Sequence, residues 1–150
     1  MERALTPFLI DPVFLEAQKS FSKNEIITDA MLMALHSVFG KILRNALDLI
    51  ESNAVTMLIV KDNSLRTDQF IYQVAGSRGL TYVIFHDINY CQCKFYELQV
   101  VQSKSYPACK HYIAARLAYI WKKFRTFEIS FEAYKDTITN IAKSQTPADK

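Results

Sequence analysis

Apolar residues change their period twice along this chain, and the changes divide it into three parts. In the first third the spacing is helical. Pro12 opens a short pattern with Val13, Phe14, Leu15 and Ala17. Thr28 then stands where an N-cap belongs, with Asp29 in the first turn, where its charge suits the helix dipole. Met31, Leu32, Leu35, Val38 and Phe39 follow at helical intervals, and Gly40 supplies a stop. A second helix is expected from about Lys41 to Glu51, ended by Ser52-Asn53. Ile42, Leu43, Ala46, Leu47, Leu49 and Ile50 make it apolar on more than one side.

In the middle, Val55–Val60, Phe70–Val74, Tyr82–Phe85 and Phe95–Val101 are short runs rich in β-branched and aromatic residues. Turn-like segments separate them: Lys61-Asp62-Asn63-Ser64, Gly76-Ser77-Arg78-Gly79 and Asp87-Ile88-Asn89. These features predict an antiparallel meander of three or four strands. Beyond Pro107 the helical period returns from Lys110, with Ile113, Leu117, Ile120 and Phe124 on one side. A last helix is expected over Phe131 to Ile141, and Lys143–Lys150 reads as a loose tail. The expected fold class is α+β: N-terminal helices, an antiparallel three- or four-stranded sheet, then C-terminal helices.

Composition narrows this little. With 150 residues, half of them apolar, the chain can build one core. A net charge of +3 does not by itself argue for nucleic acid. Glu2, Arg3 and Pro12 interrupt the start, and no apolar run approaches the roughly 20 residues of a membrane span, so a soluble intracellular protein is expected.

The cysteines change the picture. There are three, an odd number that suits a reducing compartment, and all fall between positions 91 and 109. With His111 they form Cys91-x-Cys93, fifteen residues, then Cys109-x-His111. Zinc takes four N or S ligands in a tetrahedron, with bonds of about 2.0 to 2.3 Å. On a bent strand end Cys91 and Cys93 can share a face. Cys109 and His111 cannot both lie mid-helix, since two steps of about 100° would set them on opposite sides. Cys109 is therefore expected in the loop after Pro107 and His111 in the first helical turn. The alternative, three core cysteines beside a satisfied histidine, leaves the paired spacing unexplained. A Cys91–Cys93 disulfide would close a tiny strained loop. Four protein ligands leave no open position, so one structural Zn2+ is expected. His86 reads as a strand-end surface histidine and His36 as packing or surface.

The Cys-x-Cys…Cys-x-His pattern resembles the SWIM zinc finger. Further landmarks are Phe39-Gly40, Ala46-Leu47-Asp48-Leu49, Tyr72-Gln73-Val74, Gly76-Ser77, Tyr82, Tyr90-Cys91-x-Cys93, Phe95, Cys109-Lys110-His111 and Leu117. Over roughly positions 28 to 120 these are similar to the small SWIM proteins of Shu-type complexes. The organisation that the resemblance implies is an N-terminal helical extension (1–27), a single SWIM-type zinc domain (28–142) and the tail (143–150). Residues 1–25, the tail after Phe124 and a loop at Lys61–Asp68 carry no landmark. The resemblance implies a nuclear, non-catalytic mediator of homologous recombination in DNA repair and meiosis. Such proteins pair with a paralog of the RecA-like recombinase and aid filament assembly on single-stranded DNA. SWIM motifs also occur in transposases and in ubiquitin-transfer adaptors, so a stand-alone nucleic-acid-binding module or such an adaptor is the alternative.

The remaining residues bear on these classes. Gly40-Lys41 lacks the upstream glycine and the Ser/Thr of a phosphate loop, so no ATPase is expected of this chain. From Leu98 to Phe127 there are six basic residues (Lys104, Lys110, Arg116, Lys122, Lys123 and Arg125) and no acidic one. Tyr106, Tyr112, Tyr119 and Trp121 are interleaved, a mixture suited to single strands. Helical phase scatters the charges, however, and a solvated basic helix fits equally well. For a partner protein, Ala46, Leu47, Leu49 and Ile50 on the broadly apolar helix are the candidate interface; a fully internal helix is the other reading.

Overall fold

The computed structural model describes residues 10–61 and 69–144. The expected turn and elaborated loop after Lys61 fall largely outside the described residues, as does the end of the tail.

Three helices precede the sheet: α1 (Ile10–Asn24), α2 (Asp29–Phe39) and α3 (Ile42–Glu51). The Pro12 pattern thus belongs to a 15-residue helix, which puts Ile10, Val13, Phe14 and Ala17 into the core. At the start of α2, the Thr28 side chain accepts a hydrogen bond from the Met31 N–H at 3.1 Å, the cap its sequence predicts. Gly40, at φ 69°, closes that helix with a left-handed turn that a side chain would strain.

Strands β1 (Val55–Lys61), β2 (Phe70–Ala75) and β3 (Thr81–Ile84) form the expected antiparallel meander. The fourth strand is not the expected one. Phe95–Val101 is helical, with a π-type turn over Tyr96–Gln102. Its backbone is held short: Glu97 N–H donates to the Cys93 carbonyl and Tyr96 N–H to Cys93 Sγ, while the Phe95 ring packs on Tyr106. Tertiary tethers override a weak β pattern.

Helix α4 (Lys110–Trp121) ends before Phe124, because Lys122 takes left-handed backbone angles. The chain then enters β4 (Arg125–Ser130), which pairs parallel with β1. The sheet is therefore mixed, in the order β3-β2-β1-β4, rather than wholly antiparallel. Phe127 and Ile129 alternate with polar residues, a short period-2 signal that the helical reading of Phe124 obscured. The last helix, α5 (Phe131–Ser144), packs on β4 and β1.

Helix α4 is the axis of the core. Ile113, Ala114, Ala115, Leu117 and Ala118 are fully buried. The alanines let it lie close along α3, while its other sides meet α1 and the sheet. At its end, the Trp121 indole N–H points to Met31 Sδ at 3.3 Å. No described helix is long and apolar enough to cross a membrane.

Candidate metal centre

Cys91, Cys93, Cys109 and His111 converge. All four are buried, and their ligand atoms lie within 4.8 Å of one another. His111 Nδ1 faces Cys91 Sγ at 3.7 Å and Cys109 Sγ at 3.9 Å. A tetrahedral zinc centre has an N···S edge of about 3.5 Å from its bond lengths, so a small contraction would close the cage. Nδ1 is the nitrogen aimed at the sulfurs.

The chain positions the donors from two loops. Cys91 and Cys93 sit in irregular backbone after β3, not on a strand. Cys109 is the N-cap residue of α4, in extended conformation, and His111 is the second helical residue. This is the loop-then-first-turn arrangement that the two-residue spacing requires. Asn89 joins the loops by donating from Nδ2 to the Pro107 carbonyl at 2.8 Å. The backbone N–H of Tyr96 donates to the sulfur of Cys93 at 3.3 Å. Such donors orient thiolates and stabilise their charge.

The protonation pattern fits a cation. Hydrogen bonds with Cys109 and Cys91 hold the Cys93 thiol far below its ordinary range. Hydrogen bonds with Cys109 and Cys93, then burial, push Cys91 far above it. Three sulfurs crowded in one dry space can carry only part of the negative charge they would bear together. A dication removes that conflict and lets every thiol ionise. The donor set is closed, with no carboxylate among the clustered donors, as in structural zinc sites.

The surroundings include residues that the zinc spacing does not reveal. The Tyr82 ring lies 4.4 Å from the His111 ring, centroid to centroid. A Cβ at Gly76 would come within 2.7 Å of that tyrosine ring, so this landmark glycine makes room for the ring that packs on the ligand. Gln92, between the first two cysteines, holds the backbone of Val83 with its amide, at 2.9 Å in each direction. No sequence pattern announces that role.

Five of the six basic residues separate to the two ends of α4, a helix about 18 Å long at 1.5 Å per residue. Lys104 is exposed and Lys110 half-buried near its start; Lys122, Lys123 and Arg125 are exposed just past its end. Arg116 turns inward. Its guanidinium lies 4.6 Å from the Phe14 ring centroid and donates to the Tyr112 hydroxyl at 2.6 Å. In α3, Ala46 and Ile50 are core residues, whereas Leu47 and Leu49 are half-buried at its sides. His36 is exposed. His86 is not a surface residue: it is half-buried, its Nδ1 2.6 Å from the Tyr72 hydroxyl and its ring edge-on to Tyr119.

Comparison with known proteins adds relatives of one kind. A zinc finger SWIM domain-containing protein 7 from Danio rerio is 31% identical over 103 residues, 69% of this chain and 70% of that protein. The Mus musculus protein of the same name is 26% identical over 132 residues, 88% of this chain and 84% of the relative. A homolog from Dictyostelium discoideum is 24% identical over 120 residues, 80% and 74% respectively. No family model matches the chain, and no solved structure matches it.

Proposed function

The chain belongs to the family of zinc finger SWIM domain-containing protein 7, and from that premise we propose that it is a non-catalytic subunit of a Shu-type complex. In this reading it pairs stably with a RecA-like recombinase paralog in the nucleus and aids recombinase filament assembly on single-stranded DNA. One Zn2+ per chain serves as scaffold. The observation that carries the reading is the closed Cys3His centre. Four protein donors leave no place for substrate, so the metal's contribution is to join the loop after β3 to the start of α4 and to present the surfaces around them. The landmarks Gly76, Tyr82, Cys91, Cys93, Cys109 and His111 gather at that junction.

Nucleotide chemistry is assigned to the partner, and DNA contact to the complex. The test is co-expression of the zinc-loaded full chain with candidate recombinase paralogs. Co-elution of one paralog through size-exclusion chromatography is expected. Failure to co-purify with any of them, together with tight DNA binding by the chain alone, would favour a stand-alone nucleic-acid module.

A further inference from the structure

A groove between α2 and α3 lies apart from the metal centre. It has a volume of about 640 Å³. The two helices meet at Gly40 and turn their main apolar stripes, Met31-Leu35-Phe39 and Ile42-Ala46-Ile50, into the core. A second apolar set is left between them: Leu43 at the floor, Leu32 and Leu47 half-buried beside it. Met33 stands on the rim with 70% of its surface exposed. Flexible Met and Leu side chains around a concave surface suit apolar anchors of another protein.

The rim is charged with one sign. Lys41 and Arg44 line the groove, and no carboxylate does. Neither has an ion-pair partner among the described residues. The nearest acidic residue on α3, Asp48, lies one turn beyond Arg44 and outside the lining. Apart from the small imidazole of His36 no aromatic ring lines the groove, so a nucleic acid would find cations there but little platform for its bases.

We propose that this groove docks an amphipathic helical segment of a partner protein, one that carries apolar anchors beside acidic side chains. Helix α3, ten residues long, spans about 15 Å. Two turns of a docked helix can therefore set anchors at i, i+3 or i+4, and i+7 over Leu43, Leu47 and Met33. Glutamates flanking those anchors meet Lys41 and Arg44, which select the partner by charge. The inference deepens the interaction role proposed above and rests on it for the partner's identity.

The probes are two fluorescein-labelled 16-residue amphipathic peptides, one of leucine and glutamate and one of leucine and lysine, with a thymidine oligonucleotide as competitor. Anisotropy is read against the zinc-loaded full chain. The Leu/Glu peptide is expected to bind at least tenfold tighter than the Leu/Lys peptide. Met33→Glu should weaken it at least tenfold, and Lys41→Glu with Arg44→Glu should reverse the preference. All three positions are exposed, and melting curves check that the variants are folded. Equal binding of both peptides, indifference to Met33→Glu, or displacement of the Leu/Glu peptide by the oligonucleotide would each overturn the proposal. Co-expression with the recombinase paralog reads the larger proposal separately. Retained pairing with no peptide binding fails the groove alone; peptide binding with no pairing fails the complex alone.

Discussion

Gln92 is bonded through both ends of its side-chain amide to the backbone of Val83, its Oε1 accepting the N–H and its Nε2 donating to the carbonyl, each at 2.9 Å. The residue between two cysteines of the candidate metal centre thereby acts as a one-residue strand on the open edge of β3. It satisfies edge groups that would otherwise invite another chain, and it anchors the Cys91–Cys93 loop to the sheet. Gln92→Ala should weaken zinc affinity by about tenfold or more, as loss of a supporting shell does. Competition with a chromogenic chelator checks this; an unchanged affinity would show that the loop is positioned without the clamp.

Metal removal should be far more damaging. Structural zinc contributes roughly 10 to 16 kcal/mol of apparent binding energy, against a total stability of about 5 to 15 kcal/mol for an ordinary domain. Cys109→Ala leaves the α4 N-terminus without its tether and should misfold the C-terminal half. The expected metal content is one zinc per wild-type chain and a clear loss in the variant. Chelation should likewise lower the melting temperature of the wild type; a melt indifferent to metal would sink the scaffold assignment.

Arg116 and the exposed cations separate stability from DNA binding. Arg116→Ala removes a guanidinium stacked on Phe14 and a hydrogen bond to Tyr112, and should cost about 2 to 3 kcal/mol in urea unfolding. Its contact with Asp11, 3.9 Å away with the carboxylate side chain 87% exposed, adds little. Arg116→Lys should not restore the loss, because an ammonium lacks the flat stacking surface.

Lys122, Lys123 and Arg125 form an exposed corner after α4. If single-stranded DNA crosses it within the complex, replacing all three by alanine should lower the salt slope of binding by about 2, at about 0.7 per phosphate. Stability should be nearly unchanged. An unaltered slope would move DNA contact to another surface.

His86 predicts a pH response. Burial, and then the charge of Arg116, lower its pKa from the ordinary 6.5. Burial also keeps the Tyr72 phenol protonated, so its hydroxyl donates to Nδ1 and the neutral imidazole is the form that fits. The unfolded chain binds this proton more readily. The His86 contribution is therefore complete above about pH 6.5 and falls as pH drops below it toward the lower folded value. Asp87, the nearby charge that opposes the shift, limits its size. At saturating zinc, His86→Gln should lose less stability between pH 7.5 and 5.5 than the wild type; parallel losses would remove His86 as the cause.

The amino-acid sequence by itself determined the features that rest on local chemistry. The Thr28 cap, the Gly40 stop and the period of α2 and α3 follow from side chains acting within a turn or two. So does the donor set: its paired spacing speaks against a Cys91–Cys93 disulfide and requires Cys109 before the helix and His111 within it. Tertiary structure decided what depends on distant partners. Phe95–Val101 has strand-like composition, yet the sulfur of Cys93 and the ring of Tyr106 bend it into a helical turn. Arg125–Ser130 became a strand because β1 offers a free edge, and its parallel direction is set by the path of α4. Arg116 looks like any surface cation until Phe14 of α1 lies under it. Pairing across a sheet and stacking between helices are energies of contact between segments far apart in the chain, and they exist only once the whole chain has chosen its neighbours.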